Sequence, residues 1–272
     1  MVFVFDLDGT LLDDKERLSE ANKKAVLRAA QNHFVILASG RMLKSILKFS
    51  LEQFSTEFPT IAYNGSMVYV PGMGIVHHEK IPPETAAKVI EKLREYKVHR
   101  QAYVDDNLLS EEDNEEIKAY AKHSGVEYHV VEDLVSIVSK SGSTKILAIA
   151  KPDKLDEIKS DLSPSFKNLR IFKSFPTYLD FVPQNVGKAK ALETLSKILH
   201  FDLKNAVAFG DNDNDADMIK KVGWGVAMEN ATTAVKEVAK FVAPSNNDSG
   251  VAKVVNIILD FGIEHLLRLE TR

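Results

Sequence analysis

The chain opens on Val2-Phe3-Val4-Phe5, four apolar β-formers in a row, and the run stops at Asp6-Leu7-Asp8-Gly9-Thr10. An unbroken apolar run of this length marks a strand buried on both faces, whereas a half-exposed strand alternates. Ser19 precedes Ala21, Ala25, Val26, Ala29 and Ala30 at helical spacing and reads as the N-cap of that helix. Phe34-Val35-Ile36-Leu37 predicts a second buried strand, ending at Ala38-Ser39-Gly40-Arg41. A helix through Phe54 and a short strand at Thr60-Ile61-Ala62 follow. This β-α-β-α-β order is the pattern of a doubly wound α/β layer.

After Asn64-Gly65 the period changes. Met67–Val70 and Ile75-Val76 flank Pro71-Gly72-Met73-Gly74 and predict a hairpin. Pro82-Pro83 opens a helix to about Tyr96, and 98–104 alternates like a half-exposed strand before a turn at Asp105-Asp106-Asn107. Helices are predicted over 112–123 and 152–162, and strands over 126–130, 144–150, 168–173 and 177–182. This block reads as an antiparallel sheet with helices on one face. From Gly187 the α/β alternation returns. A helix runs to about Leu199, and Ala206-Val207-Ala208-Phe209 is a strand that ends at Gly210-Asp211. A helix over 214–221 and short strands at Gly225-Val226-Ala227-Met228 and Phe241-Val242-Ala243 come next, with helices after Asn230 and at the end of the chain. The expected organisation is an α/β domain built from 1–81 and 183–272, with an inserted α+β domain over 82–182. The tail from Leu266 to Leu269 is expected to dock on the body or on a second copy.

Composition narrows the function. The 272 residues, 44% hydrophobic and 27% charged, allow one large domain or two small ones and exclude a disordered chain. With 35 Lys+Arg against 39 Asp+Glu the net charge is −4, which argues against a general nucleic-acid surface but leaves room for a small anion held locally. No apolar run approaches the roughly 18–20 residues of a membrane span, and residues 1–8 lack a basic export signal, so the expected compartment is the cytoplasm. The absence of cysteine removes disulfides, thiol catalysis and thiolate metal sites.

The candidate chemistry gathers at strand ends. Asp6/Asp8, Ser39 and Asp211 each follow a predicted core strand, and in an open α/β sheet those ends converge on one crevice. Asp6 and Asp8 flank a single residue and repel each other unless a cation or proton intervenes; a hard ion such as Mg²⁺ suits such oxygens. Gly9 and Thr10 offer backbone N–H groups as a nest for anion oxygens. Ser39-Gly40-Arg41 supplies a hydroxyl and N–H groups at a strand-to-helix turn, which is equally the pattern of a plain serine N-cap. Asn64-Gly65 reads as an ordinary turn. Lys188 and Lys190 are two candidate cations in Gly187-Lys188-Ala189-Lys190. Gly210-Asp211-Asn212-Asp213-Asn214-Asp215 is too acid-dense to stand without a cation, yet Ala216 and Val222 occupy the positions where an EF-hand needs glycine and glutamate. A carboxylate site shared with Asp6 and Asp8 is the better reading.

Asp6-Leu7-Asp8-Gly9-Thr10-Leu11-Leu12 resembles the first motif of the haloacid dehalogenase (HAD) superfamily. Ser39-Gly40-Arg41 resembles its second motif, Lys188 its third, and Gly210 to Asp215 its fourth. The spacing is similar to that of the Cof-type subfamily (subclass IIB), as are Asn64-Gly65-Ser66, Ala227-Met228-Glu229-Asn230-Ala231 and Asn246-Asn247-Asp248-Ser249-Gly250-Val251. One departure is that glycine precedes Lys188 instead of following it. The resemblance implies a Rossmann-like doubly wound core with an inserted α+β cap of C2B type, and a Mg²⁺-dependent phosphohydrolase acting on small phosphorylated metabolites, among them sugar phosphates. It implies Asp6 as nucleophile and Asp8 as acid and base. Mg²⁺ would rest on the Asp6 carboxylate, the Asp8 backbone carbonyl and Asp211. Ser39, Gly40, Thr10 and Lys188 would hold phosphoryl oxygens, while Asn214 and Asp215 would orient Lys188 or metal-bound water. His99, Gln101 and Tyr103 share one face of the 98–104 strand and are candidates for contact with the substrate. No nucleic-acid or membrane partner is expected. A phosphohexomutase would want clustered arginines in the cap, where 82–182 holds only the separated Arg94, Arg100 and Arg170. A phospho-receiver module would lack an acid two residues beyond its phospho-accepting Asp, where this chain has Asp8.

Overall fold

Strand periodicity sets the frame, and the computed structural model describes residues 1–268. The chain begins β1 (Val2–Asp6), α1 (Glu20–Ala30), β2 (Phe34–Ala38), α2 (Leu43–Phe54), β3 (Thr60–Ala62), β4 (Met67–Val70) and β5 (Gly74–His78). Its middle supplies α3 (Pro83–Glu95), β6 (His99–Val104), β7 (Asn107–Ser110), α4 (Glu115–Ser124), β8 (Tyr128–Val130), α5 (Leu134–Ser141), β9 (Lys145–Ile149), α6 (Pro152–Leu162), β10 (Leu169–Phe175) and β11 (Tyr178–Pro183). It closes with α7 (Lys188–Ile198), β12 (Ala206–Gly210), α8 (Ala216–Lys221), β13 (Trp224–Met228), α9 (Thr233–Val238), β14 (Phe241–Ala243) and α10 (Gly250–Phe261). Two units result: Met1–Gly40, Ile46–His77 and Gly187 onward form one, and Arg41–Ser45 with His78–Val186 form the other. The bridge between Ile81 and Ser143 ties the residues just before α3 to the second unit.

The first unit carries an eight-stranded sheet in the order β14-β13-β12-β1-β2-β3-β4-β5. From β14 to β3 the neighbours run parallel, and β4 returns antiparallel to β3. Every residue of β1 is buried, as its unbroken apolar run requires. Phe5 lies opposite both Leu37 and Phe209, and its ring sits 5.3 Å from that of Phe209. Asp6, Ser39 and Asp211 therefore emerge at one edge of three adjacent strands, the crevice position for a ligand in such sheets. Ser19 caps α1 by accepting from the Asn22 N–H. Buried Asn22 in turn joins α1 to two other segments, donating to the Leu11 carbonyl and accepting from the Ala252 N–H.

The second unit has a six-stranded sheet in the order β10-β11-β9-β6-β7-β8. It departs from the sequence expectation in three ways. The sheet is not wholly antiparallel, since β8 runs parallel to β7. Leu134-Val135-Ser136-Ile137-Val138, β-branched and unassigned from its pattern, forms α5, because the Asp133 carboxylate accepts from two N–H groups of the first turn and Leu134 and Val138 enter the core. Helices also occupy more than one face. Ala102, Val104, Ile146, Ala148 and Phe181 pack with residues of α3, α5 and α6, while Tyr120 of α4 meets Tyr103, which points the other way along β6. In the tail Leu266 is buried, and Leu269 lies outside the described residues. Among the described residues no helix is long and apolar enough to cross a membrane.

The central position of β1 gives a direct expectation for stability. Phe5→Ala removes a fully buried ring from the middle of the first sheet and should cost about 3–5 kcal/mol in urea unfolding. A loss below about 1 kcal/mol, the size of a single exposed substitution, would show that β1 is not the core strand.

Candidate active site

The chain leaves β1 at Asp6, 5% exposed, and turns at once through Leu7–Leu11. Gly9 takes φ +78° in that turn, and a Cβ there would lie 2.3 Å from the Asp211 carboxylate. Only glycine lets the β1 loop approach the β12 loop this closely. Thr10, fully buried, donates its hydroxyl to Asp211 Oδ1 at 2.7 Å. The threonine expected to serve phosphate thus spends its side chain on a carboxylate, and its backbone is what remains for an anion.

Lys188 begins α7 with Gly187 as N-cap, and its side chain is 1% exposed. The ammonium donates to Asp6 Oδ1 and to Asp215 Oδ1, both at 2.6 Å. Lys190, the alternative, is exposed. The other oxygen of Asp215 accepts from the backbone N–H groups of Asp211 and Asn212, so this fully buried carboxylate is saturated. Asp6, Asp211 and Asp215 each present an oxygen within 4.8 Å of the others. The side chain of Asp8 is exposed and stands outside that group; the expected metal contact through Asp8 concerned its backbone carbonyl.

Three clustered carboxylates face one ammonium, and the electrostatics follow. Burial, then the charge of Asp215, pushes the Asp6 carboxyl well above its ordinary range against the pull of Lys188. Burial raises Asp211 to about 6 despite the Thr10 hydrogen bond. Burial alone would lower Lys188, but Asp215 and Asp6 hold the ammonium above its usual value. The surplus negative charge and hard oxygen donors fit a divalent cation, which would lower both raised carboxyls.

Ser39 is buried at the end of β2; its N–H donates to the Ile61 carbonyl and its own carbonyl accepts from the Asn64 N–H. Asn214 does not turn to Lys188: its amide donates to Asn64 Oδ1 at 2.8 Å. Asn64 lies against Gly40, where a Cβ would stand 3.1 Å from its amide atoms. Asn64 was therefore missed as a part of this site, and the available signal was an Asn-Gly pair directly after a buried strand. Asn230 was missed too; its amide donates to the Gly9 carbonyl at 2.8 Å and its Oδ1 accepts from the Asn246 N–H. In the second unit His99, Gln101 and Tyr103 share a face as their alternation predicts, but all three are buried. The Gln101 amide donates to the Tyr103 hydroxyl at 2.7 Å, and Gln101 Oε1 pairs with His99 at 3.2 Å.

Residues 3–255 match the family model described as haloacid dehalogenase-like hydrolase. The crystal structure of TM0651 from Thermotoga maritima is 50% identical, with a TM-score of 0.89 over 94% of this chain and 96% of that one. A haloacid dehalogenase-like hydrolase from Bacteroides thetaiotaomicron is 27% identical, with a TM-score of 0.87 over 94% and 98%. The 5-amino-6-(5-phospho-D-ribitylamino)uracil phosphatase YwtE of Bacillus subtilis is 28% identical over 93% of this chain and 96% of its own.

The raised Asp211 carboxyl predicts how pH and cations act on stability. Its folded value near 6 exceeds the unfolded one, so without a cation its contribution is full at low pH and is lost as pH rises through about 6. A divalent cation should raise the melting temperature markedly at pH 7.5 and much less at pH 5, where protons hold the carboxyls. Thermal scans with the ion and with a chelator check this, and an equal increment at both pH values would count against the assignment.

Proposed function

The chain belongs to the haloacid dehalogenase-like hydrolases, and from that premise we propose that it is a Mg²⁺-dependent phosphatase of small phosphorylated metabolites working through an aspartyl-phosphate. The observation that carries the reading is the buried Asp6 carboxylate, bonded by Lys188 at the mouth of β1 with exposed Asp8 two residues on. Asp6 attacks phosphorus, and the bond from phosphorus to the leaving oxygen breaks as the Asp8 carboxyl gives that oxygen its proton. Asp8, now a carboxylate, takes a proton from water as the water attacks phosphorus, and Asp6 departs as the free carboxylate. Lys188 fixes the direction of Asp6 throughout. Ser39, the backbone at Gly40 and Thr10, and Asn214 are assigned to the phosphoryl oxygens, which need positioning and neutralisation more than covalent help.

In this reading Asp215 orients Lys188, and Asp6, Asp211 and the Asp8 carbonyl would hold Mg²⁺. When bound it would supply the positive charge that keeps Asp6 ionised and offsets the charge of the phosphate. The substrate class is a small phosphorylated sugar or polyol. The Bacillus subtilis relative, whose name gives a substrate with phosphate on a ribityl chain, supports that choice. Two arginines of the second unit speak for hydrolysis over a mutase: Arg94 and Arg100 both pair with Glu111, and Arg94 also with Asp133, so neither is held in reserve for a second phosphate. His99, Gln101 and Tyr103 are proposed to act in specificity as one hydrogen-bonded row.

Phosphate release from p-nitrophenyl phosphate tests the reading. Wild type should require Mg²⁺ and lose activity with chelator, and Asp6→Asn should lower kcat by about a thousandfold or more. Release undiminished in Asp6→Asn would remove Asp6 as nucleophile.

A further inference from the structure

The turn Tyr63-Asn64-Gly65 after β3 runs left-handed at three consecutive residues, with φ of 51°, 56° and 106°. Two of them carry side chains, which L-residues seldom place there. Such backbone persists where the surroundings over-determine it, and the contacts show what is being held. The Asn64 N–H donates to the Ser39 carbonyl at 3.0 Å. The Asn64 Oδ1 accepts from the Asn214 amide at 2.8 Å. Among the described residues Asn214 Oδ1 is buried with no hydrogen-bond partner, so the Asn64 contact is what holds that amide in one orientation. A Cβ on Gly65 would stand 2.3 Å from the Gly187 carbonyl, so the turn is packed directly on the peptide before Lys188.

Three segments of the site, those carrying Ser39, Asn214 and Lys188, thus meet at one turn. We propose that Asn64 is a positioning residue for phosphoryl transfer: it sets Asn214 and the Ser39 peptide in the orientation the phosphoryl group needs, and the left-handed turn locks it against α7. The inference rests on the phosphatase reading. It assigns to Asn64 a role through Asn214, not contact with the reacting atoms.

Asn64→Gly tests it, because glycine accepts the left-handed backbone and only the amide is lost. With p-nitrophenyl phosphate and Mg²⁺, kcat per folded molecule should fall about tenfold or more, since small misplacements of reacting groups are costly. KM should change less than kcat, and the melting temperature should stay near that of wild type. Asn214→Ala should show a similar loss, and the double variant should lose no more than the larger single one, because residues acting as one unit are not additive. Asn64→Asp keeps the acceptor for Asn214 and tolerates the same backbone, and it should recover kcat toward wild type. An unchanged kcat in Asn64→Gly, or losses that multiply in the double variant, overturns the proposal while leaving the phosphatase reading intact. A wild-type chain that releases phosphate from neither this ester nor a sugar phosphate strikes the phosphatase reading itself, and this inference with it.

Discussion

A single buried ammonium governs the catalytic unit. Lys188 reaches Asp6 and Asp215 at equal distance, and both of those carboxylates are almost wholly out of water. Burying charge is costly unless it is paired and hydrogen-bonded, and breaking such a pair leaves the remaining charge stranded. The three residues lie far apart in the sequence. They meet because β1 is the middle of a parallel sheet, because β12 is its direct neighbour, and because α7 starts directly after Gly187, so that its first side chain enters the cluster. The apolar strands are the means by which the sheet delivers acids and a lysine to one edge.

Close approach of the loops is the second condition. Gly9 admits the Asp211 carboxylate where any side chain would collide with it. Around this contact stand short polar ties: Thr10 to Asp211, Asn230 to the Gly9 carbonyl, Asn246 to the Leu12 carbonyl. Of these the Asn246 tie satisfies a carbonyl that the loop would otherwise bury unpaired, and the other two add hydrogen bonds nearer the surface. Order here comes from many small satisfied groups.

What could be read from the sequence follows from how local each signal is. The strands at Val2–Asp6, Phe34–Ala38 and Ala206–Gly210 announce themselves because a buried parallel strand is apolar at every position. The acids at their ends are legible because such charge beside such strands demands a reason. The resemblance preferred Lys188 to Lys190, and the start of α7 buries the first and exposes the second. Asn64 escaped notice because an Asn-Gly turn is common, and what sets this one apart is its contact with Asn214, 150 residues away. The α5 segment escaped because Val and Ile favour strands locally, while Asp133 and the core decide for a helix. The His99, Gln101 and Tyr103 face was correctly grouped by alternation, whereas the hydrogen bonds that join its members into one buried row depend on side-chain geometry that alternation does not carry.

The distribution of hydrogen bonds locates the charge surplus more sharply than residue type does. Asp215 has one oxygen on the ammonium and the other on two backbone N–H groups, so its charge is spent. Asp6 has the ammonium on one oxygen. Asp211 accepts from the neutral Thr10 hydroxyl on Oδ1 and interacts with the Asp6 carboxyl, and its own carboxyl is raised to about 6. The uncompensated negative charge therefore collects on Asp6 and Asp211, the residues that end or follow the adjacent strands β1 and β12. A cation answering that charge would have to sit at those two strand ends. Lys188, buried behind Asp6 and tied to saturated Asp215, keeps Asp6 aimed whether or not the cation is bound. The division of labour is electrostatic: the fixed ammonium orients Asp6, the proposed nucleophile, and a cation at the two strand ends would set its ionisation.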